Sequence, residues 1–132
     1  MLMKTILIHA QNPELSTAWA SYLSNDGSAV FTSSNPLESA EILSTIKVDT
    51  AIISTNDPET FLLLGKVLLD KEDPVRVIAI TEIRTSQLDF LLGGESFVVL
   101  APPFTFSKLK GIVDIPLNAL EEVSNAFVLQ SR

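Results

Sequence analysis

Five short runs of apolar, largely β-branched residues divide this chain, and each is followed by a segment whose apolar residues recur at helical spacing. The runs are Thr5–His9, Ala29–Thr32, Val48–Ile53, Val75–Thr81 and Ser96–Leu100. Such runs suit strands covered by helices on both faces, because a strand with one wet face would alternate apolar and polar residues. Strand–helix alternation with short connections leads to right-handed βαβ units, and hence to a parallel sheet.

The helical segments carry their own start signals. Asn12-Pro13-Glu14, Asn35-Pro36 and Asn56-Asp57-Pro58-Glu59 each place a capping Asn or Asp before a proline at the first helical position. The first helix is expected to bury Leu15, Ala18, Trp19, Tyr22 and Leu23, and Gly27 to stop it in a left-handed cap. The second should bury Leu37, Ala40 and Leu43, with Ile42 or Ile46. A third runs from about Pro58 to Asp70, and a short fourth from Thr85 to Leu92, ended by Gly93-Gly94. A fifth, Thr105–Val113, carries Phe106, Leu109, Ile112 and Val113. The whole predicts a flavodoxin-like three-layer α/β sandwich with a five-stranded parallel sheet in the order 2-1-3-4-5. After Asp114, Pro116 can open a further helix with Leu117, Leu120, Val123 and Phe127 on one face. The expected division is therefore a domain over residues 1–115 and a C-terminal helical extension over 116–132. Two roles for the extension stay open: packing on its own domain, or serving as a dimer contact or connection to another domain.

The chain's 132 residues suffice for one domain with a real core. Its net charge of −7 argues against nucleic acid as a partner, since phosphate contacts need clustered Lys and Arg. Cysteine is absent, which removes disulfides, thiolate metal sites and thiol nucleophiles. One histidine cannot build a zinc site by itself. No apolar run has the length of a membrane span and no signal-peptide pattern opens the chain, so a cytoplasmic location is expected.

In a parallel sheet of this kind the functional crevice lies beyond the carboxyl ends of the strands. There the chain places Ala10-Gln11-Asn12, Ser54-Thr55-Asn56-Asp57, Thr81 and Ala101-Pro102-Pro103-Phe104. In frame, residues Lys4 to Val113 resemble the CheY-like receiver domains of bacterial two-component signalling. That resemblance implies two acidic Mg²⁺ ligands after the first strand, where this chain has Ala10 and Gln11. It implies a phosphoacceptor Asp at the end of the third strand, where Ser54 stands. It implies a Ser or Thr after the fourth strand, which Thr81 supplies, and a Lys after the fifth, which Pro102 replaces.

Four of these five positions are changed. Phosphoryl transfer needs a nucleophile, a cation bridging the oxygens and positive charge on the developing anion. Alanine, glutamine, serine and proline supply none of these unaided. The expectation is thus a degenerate phosphorylation pocket in an atypical receiver, a protein-interaction module independent of aspartyl phosphorylation, with neither metal nor cofactor. The alternative uses Ser54, Asp57 or His9 as a phosphoacceptor or small-hydrolase centre, Asp57 being a displaced acceptor or simply a helix cap. A flavin site is disfavoured, because the loop after the first strand is short and lacks glycine.

In receivers the face built by the fourth helix, fifth strand and fifth helix carries output. By resemblance the interaction surface falls on Leu88, Phe97, Phe106 and Leu109, extended by Leu117, Leu120 and Phe127. The expected partner is a protein or a second copy of the chain, with the N-terminus of a larger regulator as one setting.

Overall fold

The computed structural model of the chain describes residues 4–24, 27–93, 97–100 and 106–114. Strands β1 (Thr5–Ala10), β2 (Ala29–Ser33), β3 (Thr50–Ser54), β4 (Arg76–Ile80) and β5 (Phe97–Val99) alternate with helices α1 (Pro13–Leu23), α2 (Pro36–Thr45), α3 (Pro58–Leu69), α4 (Thr85–Leu91) and α5 (Phe106–Val113). Every pairing is parallel and the order is β2-β1-β3-β4-β5, as the alternation predicts. The boundary expected near residue 115 lies outside the described residues.

Three helices start as their Asx-Pro pairs dictate. Asn12 accepts the Glu14 N–H at 2.9 Å, and Asn35 accepts the Leu37 N–H at 2.9 Å. Asp57 accepts the Glu59 N–H at 3.2 Å. Each cap satisfies a donor that the first helical turn leaves open, and the proline lacks the N–H that would otherwise stay unpaired. Gly27 and Gly93 have φ of 90° and 65°, left-handed values that glycine adopts without a Cβ penalty.

The sheet separates two apolar layers. On one face Leu7, Ala51, Ile53, Val77, Ala79, Phe97 and Val99 pack against α2, α3 and α4. On the other, Ile6, Ile8, Ile52, Ile78 and Val98 pack against α1 and α5. On α3, Phe61 and Leu64 are fully buried.

Two helical stripes differ from the expected ones. In α1 Leu15 and Ala18 are exposed while Ser16 is buried with Trp19 and Leu23. In α2 Leu37 is 71% exposed and Ser39 is fully buried beside Leu43. The buried seryl hydroxyls are satisfied, Ser16 by the Pro13 carbonyl and Ser39 by His9. Satisfied in this way, a small polar side chain can be buried cheaply, which a count of apolar residues overlooks.

At the amino end of the sheet Arg76 is buried and donates through Nη1 to the carbonyl oxygen of Val113, the last residue of α5. A cation at a helix C-terminus meets the negative end of the helix dipole. Asp114, just beyond, accepts from Lys4 at 2.8 Å and from Lys110 at 3.0 Å. Burial pushes the Asp114 carboxyl up, but the bonds and charges of Lys4 and Lys110 outweigh it and hold it below the ordinary carboxylate value.

Candidate functional site

At the carboxyl ends of β1, β3 and β4 lies an open cavity of about 220 Å³. Gln11, Asn12, Ser54, Thr55, Asn56, Thr81 and Glu82 supply its polar lining, with Leu15 and Ile80 beneath. This is the crevice that the sheet topology predicts. Register places Ala10 beside Ser54, and Ser54 beside Ile80.

The lining is neutral apart from Glu82. Mg²⁺ is held by one or two carboxylates with waters completing an octahedron. Ala10 offers no oxygen donor on its side chain, Gln11 and Asn56 offer amides, and Ser54 and Thr55 offer hydroxyls. No group of three or more His, Asp or Glu side chains able to hold a metal occurs among the described residues. Glu82 is the one carboxylate of this lining, and Ala10, Gln11 and Ser54 stand where the receiver resemblance implies acidic groups, so the residues at those positions do not fit its Mg²⁺ centre.

The Ser54–His9 idea is overturned by the pleat of the sheet. Successive strand residues point to opposite faces. His9 follows Leu7 onto the α2–α3–α4 face, whereas Ser54 follows Ile52 towards the α1–α5 face. His9 does meet a serine, but it is Ser39 of α2, with Nδ1 and Oγ 2.7 Å apart. Both are buried, so no substrate reaches them. Burial lowers the His9 pKa and keeps the imidazole neutral near pH 7.

Asp57 is committed to α3. One carboxylate oxygen takes the Glu59 N–H and the other takes the Thr60 hydroxyl at 2.8 Å. Thr55, buried at the mouth of the cavity, accepts the Asp57 N–H at 3.1 Å. This is the capping role that Asp before Pro signals in sequence.

Thr81 does more than end its strand. Its hydroxyl donates to the side-chain oxygen of Asn56 at 2.9 Å and accepts the Ile83 N–H at 3.1 Å. The same Asn56 oxygen accepts the Glu82 N–H at 2.9 Å. Asn56 thus ties the β3–α3 loop to the β4–α4 loop. Sequence reasoning read Asn56 only as part of a helix start, since nothing local announces a partner 25 residues away.

The interaction surface inferred by resemblance needs correction. Leu88 and Leu109 are fully buried and Phe97 is only 7% exposed, so all three belong to the core. Leu88 faces the core from α4, Phe97 belongs to the same apolar layer, and Leu109 faces the sheet from α5. What α4 does present is Phe90, at 80% exposure. Phe106 opens α5 with its side chain outside the described set, and Pro102, Leu117, Leu120 and Phe127 also lie outside the described residues.

No family model matches the chain, and no curated protein matches it. Solved structures do. A CheY-like response regulator receiver domain protein from Methanospirillum hungatei superposes with a TM-score of 0.76 at 16% identity, covering 92% of this chain and 99% of that one. A response regulator protein from Thermotoga maritima, in complex with Mg²⁺ and BeF, gives 0.68 at 21% identity over 84% of this chain and 96% of its own. A de novo designed Rossmann 2x3 fold protein gives 0.61 at 16% identity, with 93% of each chain covered. The fold is therefore that of CheY-like receiver domains. A designed protein shares it closely enough that function has to be argued from the site. No helix among the described residues is long and apolar enough to cross a membrane.

Proposed function

We propose that this chain is a signal-transduction module of receiver fold that works through protein contacts, without aspartyl phosphorylation and without catalysing a reaction of its own. The observation that carries the reading is Ser54. It ends the central strand, where the receiver resemblance expects the phosphoacceptor, and lines a cavity whose other polar groups are amides and hydroxyls apart from Glu82. A serine hydroxyl is a weak nucleophile without a base, and the one histidine is buried on the opposite face. The receiver-domain neighbours support a signalling role, and the lost carboxylates favour constitutive over phosphorylation-switched contact.

The partner in this reading is a protein or a second copy of the chain, met in the cytoplasm, within a larger regulator or alone. The C-terminal stretch 116–132 is a natural place for a dimer contact or a connection to another domain.

Intact-mass measurement after incubation with a small phosphodonor and Mg²⁺ tests the proposal. The expected result is an unchanged mass. A gain of one phosphoryl group that Ser54→Ala or Asp57→Ala abolishes would overturn it.

A further inference from the structure

One side chain from another loop makes two hydrogen bonds to the β4–α4 loop, whose Ile83 also packs against the core. Asn56 Oδ1 accepts two bonds from that loop, the Thr81 hydroxyl and the Glu82 N–H, each at 2.9 Å. A backbone N–H can only donate, so the oxygen of the amide, rather than its nitrogen, must face the loop. The Thr81 hydroxyl gives its proton to Asn56 and takes the Ile83 N–H, so the tie runs on through three consecutive residues.

Asn56 is itself held from both sides. Buried Thr55 precedes it and accepts the Asp57 N–H, while Asp57 caps α3. The amide is therefore presented from a prearranged turn, and little side-chain entropy is lost when it bonds. Arg84, the next residue after Ile83, is the N-cap of α4 and has no side-chain cap bond. The start of α4 follows directly on these three tied residues, and Leu88 and Leu91 then seat the helix in the core with Phe90 exposed between them.

We propose that Asn56 is a built-in latch that fixes the β4–α4 loop in one arrangement, and so holds the α4 surface in a single presentation. This rests on the phosphorylation-independent reading above and deepens it: the Thr81 hydroxyl and the Glu82 N–H, both facing the cavity loop, are already taken by a neutral group of the chain. The loop then has nothing to respond to, and the α4 face stays constant.

Residue-resolved amide hydrogen exchange on the full chain tests the latch. In Asn56→Ala, exchange at Glu82 should quicken about tenfold, the scale of one hydrogen bond's net contribution. Ile52 and Ile78 at the centre of the sheet should exchange as in the parent. Asn56→Asp keeps an acceptor oxygen in place and should retain most of the Glu82 protection. If Ile52 and Ile78 also quicken in the alanine variant, the aspartate variant decides: retained protection at Glu82 supports the latch, and lost protection overturns it. Unchanged Glu82 exchange in Asn56→Ala overturns it outright. Phosphoryl uptake with the Glu82 response intact would sink the functional reading and leave the latch standing.

Discussion

A Cβ placed on Gly65, in the middle of α3, would stand 2.8 Å from the backbone carbonyl oxygen of Leu91 and 3.0 Å from the Leu92 Cα. The end of α4 therefore rests on the backbone of α3. A mid-helix glycine costs roughly 1 kcal/mol relative to alanine, so its presence here has a packing reason.

Gly65→Ala should accordingly destabilise the protein despite alanine's better helix propensity, by about 1 kcal/mol net, as overpacking against backbone outweighs propensity. Gly111 is the control: it lies in α5 and a Cβ there would meet nothing within 4 Å. Gly111→Ala should stabilise by roughly 0.5–1 kcal/mol. Urea unfolding of the two variants measures the opposite signs, and a stabilising Gly65→Ala would refute the close approach.

His9 makes stability depend on pH. Its folded pKa lies below the ordinary value of 6.5 because burial disfavours the imidazolium. Above pH 6.5 neither state binds the proton. As pH falls below 6.5, the unfolded chain takes it first, so stability declines, by at most about 1.4 kcal/mol per pH unit for one proton. His9→Gln, which can still bond Ser39, should flatten the slope of unfolding free energy between neutral pH and the onset of carboxylate titration. A slope that survives the substitution would assign the effect to other groups.

Leu88 and Phe90 stand two residues apart on α4 with opposite exposures, 0% and 80%. Leu88→Ala should cost about 2–5 kcal/mol through lost transfer energy and the cavity left behind. Phe90→Ala should stay within about 0.5 kcal/mol of the parent. If the α4 face makes contacts, Phe90→Ala should also weaken self-association in sedimentation, which Leu88→Ala cannot report cleanly because it loosens the fold.

The layers and strand order were legible in the sequence because they depend on features that act locally. Continuous apolar runs such as Ala51–Ile53 and the Asx-Pro starts at Asn12, Asn35 and Asp57 each say where an element begins and how it is covered. Register followed, since a one-residue slip would turn Ile52 to the wrong layer. The site was legible as a place, at the carboxyl ends of β1, β3 and β4 where Gln11 and Ser54 line the cavity. What escaped were pairings across sequence: His9 with Ser39, Asn56 with Thr81, Arg76 with Val113. Each joins residues far apart in sequence through side-chain hydrogen bonds, and no periodicity encodes it. Large apolar residues also misled on exposure. Leu88, Phe97 and Leu109 were assigned to a surface by resemblance, whereas their parity and helical phase direct them inward.

The cavity, with Glu82 as its one charged lining residue, suggests a reconstruction. Gln11 and Ser54 line it together, so Gln11→Asp with Ser54→Asp would bring two carboxylates to one site. Without metal the like charges repel and each raises the other's pKa, so the double variant should melt below the parent. Mg²⁺ can use two carboxylates with waters filling its remaining positions, and a cation that binds only the folded state stabilises it by mass action. The melting temperature of the double variant should therefore rise with Mg²⁺ concentration, while that of the parent, with an amide and a hydroxyl in those places, should not move. Ser54→Asp alone should show a smaller response, because Gln11 then offers only a carbonyl oxygen. Equal Mg²⁺ responses in parent and double variant would mean that the cation binds elsewhere and that Gln11 and Ser54 do not govern metal binding in this cavity.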